Sequence, residues 1–126
     1  MTNWPSYKSL AASGELKVLA RRARESLSPC RLCPRRCEKN RREDETGFCG
    51  IGRRAVVASF GPHLGEEPVL VGQRGSGTVF FSGCNLGCVF CQNYDISHLS
   101  EGREVSTAQL AGIFRQIEAM GCHNLN

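Results

Sequence analysis

The sequence predicts an α/β fold in which one strand–loop–helix–strand unit follows a helix and a cysteine-rich module. Three observations predict it. Residues 77–83 are a β-branched and aromatic run bracketed by Gly77 and Gly83, the composition of a short buried strand. Ser106 and Gln109 have capping-box spacing, and behind them Leu110, Ile113, Phe114, Ile117 and Met120 fall on one helical face. Gly121 suits the stop of that helix, and the residues after it read as the start of a second strand. A strand, a loop, a helix and a further strand make one βα unit opening onto another.

The remaining elements follow in order. Residues 10–27 are mostly helix formers, with Leu16, Leu19, Ala20 and Ala23 near helical spacing; Gly14 weakens the first turns and Ser28-Pro29 ends the run. Residues 30–53 are a cysteine- and arginine-rich loop module. Residues 54–60 read as a strand, and Gly61-Pro62 marks a turn. Residues 65–72 are expected to be extended, and Gly75-Ser76-Gly77 leads into the central strand. The chain thus divides into a helical segment (1–29), a cysteine-rich module (30–53) and an α/β part (54–126). It holds no internal repeat or low-complexity tract.

At 126 residues, 40% of them hydrophobic, the chain suits one modest globular domain. A complete eightfold βα barrel takes roughly 200 residues or more. Because the second strand is only beginning at Asn126, the chain reads as the N-terminal part of a larger protein: a fragment, a truncated gene product or a frameshifted one. Eight cysteines in so short a chain would suggest disulfides in a secreted protein. Yet the first eight residues have no apolar signal-peptide core, and no apolar run approaches the roughly 18 residues of a membrane span. Thiols in a reducing cytoplasm are more often metal ligands, so a cytoplasmic metalloprotein without a membrane partner is expected.

Charge is uneven. Residues 17–54 carry twelve basic and five acidic side chains, whereas the whole chain has a net charge of +4. Such an arm could meet nucleic acid, but no aromatic residues interleave with the arginines, so a solvated helix face is the better reading and nucleic acid is not the expected partner. Arg31, Arg35 and Arg36 would instead offset the negative charge of thiolates nearby.

Cys84, Cys88 and Cys91 follow the predicted strand in a C-x3-C-x2-C spacing. Three thiolates leave a metal or cluster one ligand short, which is an open site, whereas four close it. Thiolates are the soft donors that iron–sulfur clusters require, and Gly87 lets the loop turn tightly. A zinc site borrowing His98 or Cys122, or three unrelated cysteines, are the alternatives.

This triad directly after a strand, with Phe90 just before the third cysteine, resembles the radical S-adenosylmethionine superfamily. Its flanks, Gly75-Ser76-Gly77 and Cys91-Gln92-Asn93, are similar to proteins related to pyruvate formate-lyase activating enzyme. The resemblance implies a partial TIM barrel of which residues 54–126 would be the opening. It implies a [4Fe-4S] cluster on Cys84, Cys88 and Cys91, whose fourth iron chelates S-adenosylmethionine for reductive cleavage to methionine and a 5'-deoxyadenosyl radical. Phe90 would lie near the adenine, with Gln92 and Asn93 making polar contacts around the cofactor. An electron donor of flavodoxin or ferredoxin type, and a protein substrate that acquires a glycyl radical, would be the partners; the substrate could equally be a small molecule.

A second set, Cys30, Cys33, Cys37 and Cys49, has the spacing C-x2-C-x3-C-x11-C, four soft ligands in twenty residues. It suits structural zinc, an additional iron–sulfur cluster, or unliganded thiols. Cys122 has no partner at either spacing and is expected to be a small buried hydrophobe. Glu66 and Glu67 are weak acid–base candidates, since neighbours on an extended segment face opposite ways. His63 and His98 are expected to be ordinary surface histidines. The alternative function is a non-catalytic zinc module with a basic nucleic-acid-binding arm.

Overall fold

Gly14, at a left-handed φ of 80°, splits the predicted N-terminal helix in two. In the computed structural model, which describes residues 6–126, α1 spans Ser6–Ala12 and α2 spans Glu15–Glu25. The first five residues of the predicted N-terminal segment lie outside the described residues. Neither helix buries a residue, so the Leu16 and Leu19 stripe stays outside the core.

Strand β1 (Ala55–His63) runs straight through Gly61-Pro62, where a turn was expected. It pairs antiparallel with β2 (Ser76–Phe81), Pro62 opposite Gly77, and with β3 (Arg103–Val105) only at residues 55–57. Beyond Val57 the β3 side of β1 is therefore an edge, and Pro62, which has no N–H to donate, costs no ladder bond there. The segment 65–72, expected to be extended, instead carries the short helix α3 (Pro68–Val71) with Pro68 in the first turn, where its missing N–H is harmless.

After β2 come the cysteine loop, α4 (Tyr94–Ser97), β3, α5 (Thr107–Ala119) and β4 (Asn124–Leu125). The order across the mixed sheet is β3-β1-β2-β4, with β2 and β4 parallel, Ser76 opposite Asn124 and Gly77 opposite Leu125. The expected strand–helix–strand unit is thus present in outline, but α4 and β3 intervene and β3 returns to the far side of β1. Both halves of the Ser106–Gln109 capping box form: Gln109 N–H donates to Ser106 Oγ at 3.2 Å, and Ser106 N–H to Gln109 Oε1 at 2.8 Å.

One core sits between α5 and the sheet. Val57, Val79, Val105, Ile113 and Ile117 are buried there, with Ala55, Leu110, Phe114 and Cys122 packed against them. Met120, placed on the same face by its spacing, is 46% exposed because it lies past the last covered turn. Among the described residues no helix is long and apolar enough to cross a membrane.

Candidate metal centre

The loop bearing Cys84, Cys88 and Cys91 begins just beyond the C-terminal end of β2 and is anchored at its root. Ser82 N–H donates to Val56 O at 2.9 Å, and Gly83 N–H to Ile96 O at 2.7 Å. Gly83 has a φ of 83°, and a Cβ there would stand 2.6 Å from the carbonyl oxygen of Cys49. A side chain would therefore be both strained and blocked. Further along, Cys91 N–H donates to Cys88 O at 3.2 Å and closes a turn that keeps these two residues together.

The three thiols are partly exposed and differ in their surroundings. Cys84 Sγ accepts from the Leu86 amide at 3.4 Å, and the Leu86 and Gly87 amides hold this thiol below the ordinary cysteine range. Cys91 Sγ accepts from Ser97 Oγ at 3.2 Å, and the same hydroxyl lies 2.8 Å from His98 Nδ1. His98 in turn stacks on Tyr94, ring centroids 4.5 Å apart. His98, read from the sequence as an ordinary surface residue, is therefore half-buried and linked to Cys91 through Ser97.

Phe90 projects from this loop at 87% exposure, and Gln92 and Asn93 are exposed beside it. All three are open to solvent, close in sequence to Cys91. The remaining candidates lie elsewhere. His63 Nδ1 is 3.6 Å from Glu66 Oε1 at the end of β1, and Glu67 caps α3 without a side-chain bond to it.

The cysteine-rich module packs directly on the loop. Arg35 donates from Nε to Asn85 O at 2.9 Å and from Nη2 to Leu86 O at 3.0 Å, while its guanidinium carbon lies 3.7 Å above the Phe48 ring. Phe48 abuts Gly87, where a Cβ would be 2.8 Å from the ring. Arg35 thus grips the loop backbone, and Arg31 is taken up by Glu38 at 2.8 Å.

Arg41, which sequence reasoning passed over, is the arginine that reaches sulfur. Its Nε donates to Cys30 Sγ at 2.9 Å, and its Nη2 to Cys37 Sγ at 3.5 Å and Cys49 Sγ at 3.4 Å. Its Nη1 donates to the carbonyl oxygen of Ile51. Burial pulls the Arg41 pKa down, but bonding to the sulfurs more than offsets this and leaves it raised. The Leu32 amide, ahead of Arg41 itself, holds the Cys30 thiol low. Cys33, the second cysteine of that spacing, makes no bond to the guanidinium. No sequence signal separates Arg41 from Arg42, since only the fold buries one and exposes the other. Among the described residues no three Cys, His, Asp or Glu side chains already stand in a metal-holding arrangement.

Five other arginines of the basic segment gather in a different place. Arg21 and Arg24 of α2, with Arg42, Arg53 and Arg54, line a cleft of about 790 Å³ that also reaches Ser106 and Thr107 at the start of α5.

No family model matches the chain, and no solved structure matches it. It is 49% identical over 77 residues to an uncharacterized protein of Methanocaldococcus jannaschii, a match covering 61% of this chain and 21% of the relative. The chain therefore spans about a fifth of the length of the curated relative it matches.

Proposed function

We propose that this chain carries the cofactor-binding loop of a radical S-adenosylmethionine enzyme of the glycyl-radical activase type, with Cys84, Cys88 and Cys91 holding a [4Fe-4S] cluster. The observation that carries the reading is three thiols within eight residues, displayed on a loop at the C-terminal end of a strand whose neighbour β4 runs parallel to it. Active sites of parallel α/β folds collect at that end. In this reading β2, α5 and β4 open a partial TIM barrel.

The donor set suits such a cluster. Thiolates are the ligands it needs, amide N–H groups favour the anionic form of Cys84, and the Ser97 hydroxyl donates to Cys91. The chemistry a bound cluster supplies is one electron for reductive cleavage of S-adenosylmethionine. The chain's own residues fix the loop and present Phe90, Gln92 and Asn93 for the adenosine. A flavodoxin- or ferredoxin-type donor and a glycyl-radical protein substrate complete the proposal.

Anaerobic reconstitution with iron and sulfide tests it. The chain should develop the brown charge-transfer absorption of a cluster whose spectrum changes on adding S-adenosylmethionine. A Cys84→Ala, Cys88→Ala, Cys91→Ala variant that keeps that sensitive signal would sink the assignment.

A second reading, an anion- or nucleic-acid-binding module, draws on the arginine-lined cleft between α2 and the start of α5. Salt-sensitive RNA binding by a colourless, zinc-only protein would favour it.

A further inference from the structure

Arg41 is 6% exposed, and each side chain its guanidinium donates to ends in sulfur. Among the described residues no carboxylate pairs with it. A guanidinium stays charged at any ordinary pH, and a buried cation without an anion is strongly destabilising. The side chains that meet it are Cys30, Cys37 and Cys49, whose sulfurs lie 2.9, 3.5 and 3.4 Å from its nitrogens. Three soft donors drawn around one group are the ligand type that a thiophilic divalent ion takes.

The backbone is built to gather these sulfurs. Cys30 N–H donates to Lys39 O and Glu38 N–H returns to Cys30 O, both at 3.0 Å, while Arg36 N–H reaches Cys33 O at 3.1 Å. Arg36 and Glu38 hold left-handed φ values of 41° and 54°, a cost that non-glycine residues bear only where the surroundings enforce it. The result folds Cys37 back onto Cys30. Gly47 closes the set, since a Cβ there would sit 3.0 Å from Cys37 Cβ and 3.1 Å from Arg41 Nη2.

We propose that Cys30, Cys37 and Cys49 hold one thiophilic divalent metal ion of the zinc class, with Arg41 donating N–H bonds to the ligating sulfurs. Cys33, in the same turn, is the soft donor expected to complete a tetrahedron. Binding releases the thiol protons to solvent and changes no oxidation state. The site is separate from the Cys84–Cys91 loop, which the module meets through Arg35, Phe48 and the Cys49 carbonyl beside Gly83.

The test uses the full chain carrying Cys84→Ala, Cys88→Ala and Cys91→Ala, so that failure of the cluster assignment leaves it untouched. Stripped of metal under reductant and titrated with Co²⁺, this protein should show sulfur-to-cobalt charge-transfer bands and tetrahedral d–d bands that saturate near one equivalent. Arg41→Gln should weaken Co²⁺ binding about tenfold or more, and Arg41→Lys should restore part of it. Zinc should also protect the cysteines of residues 30–49, and not Cys122, from alkylation in the unsubstituted set, a readout that needs no folding of a ligand variant. Absence of the cobalt bands, alkylation unchanged by zinc, or iron and sulfide bound in place of a single ion would each overturn the proposal.

Discussion

Arg35 donates from its Nε to the carbonyl oxygen of Asn85 at 2.9 Å, joining two segments fifty residues apart in the chain. With its second bond to Leu86 O and its stacking on Phe48, it makes the cysteine-rich module a clamp on the Cys84–Cys91 loop. Charge-assisted bonds are stronger than neutral ones, but this arginine is exposed and the gain is correspondingly reduced.

Arg35→Ala should therefore cost about 1 kcal/mol of stability, read as a lower urea midpoint. Amide exchange across residues 85–91 should accelerate. Unchanged exchange there would show that the clamp does not order the loop.

Gly83→Ala should be more damaging. Its φ of 83° penalises any Cβ, and the Cys49 carbonyl stands 2.6 Å from where that atom would go. A loss of about 2 kcal/mol is expected, together with poorer cluster retention on reconstitution. Thermal denaturation followed by circular dichroism measures the first and iron content the second.

Ser106→Ala removes the hydroxyl that accepts from Gln109 N–H and should cost about 1 kcal/mol. The change should leave metal binding in both cysteine sets unaltered, since α5 stabilises the sheet without touching either. Urea unfolding beside a metal titration checks both halves.

In the metal-free chain, the Leu86 and Gly87 amides stabilise the Cys84 thiolate, so its folded pKa lies below its unfolded one. The contribution to stability is complete above the unfolded cysteine value and is lost as pH falls through the lower folded value. Iodoacetamide labelling of Cys84 against pH should show a midpoint below that of a simple thiol peptide; a midpoint at or above it would remove the amide effect.

Several elements were legible because short-range rules decide them. The capping box at Ser106 and Gln109, the apolar face through Ile113 and Ile117, and the glycine-bracketed strand β2 all depend on residues within a few positions of one another. Gly61-Pro62 misled, because whether a proline breaks a strand depends on whether a neighbouring strand needs its N–H, and β3 stops short of it. Strand β3 itself is three residues long and gains its identity only from pairing with β1.

By itself the sequence determined which thiols lie close together in the chain: two sets, one of three and one of four, with glycines where the loop must turn. Spacing alone settles that much, since residues on one short loop stay within reach of one another in any fold. Tertiary structure decided which charges serve them. Arg41 meets Cys30, Cys37 and Cys49 because the fold buries this one side chain while leaving residues 42–46 exposed, and Arg35 reaches Asn85 where Phe48 packs on Gly87. Such pairings join residues remote in the chain or select one arginine from a run of equivalents, and only packing makes that choice.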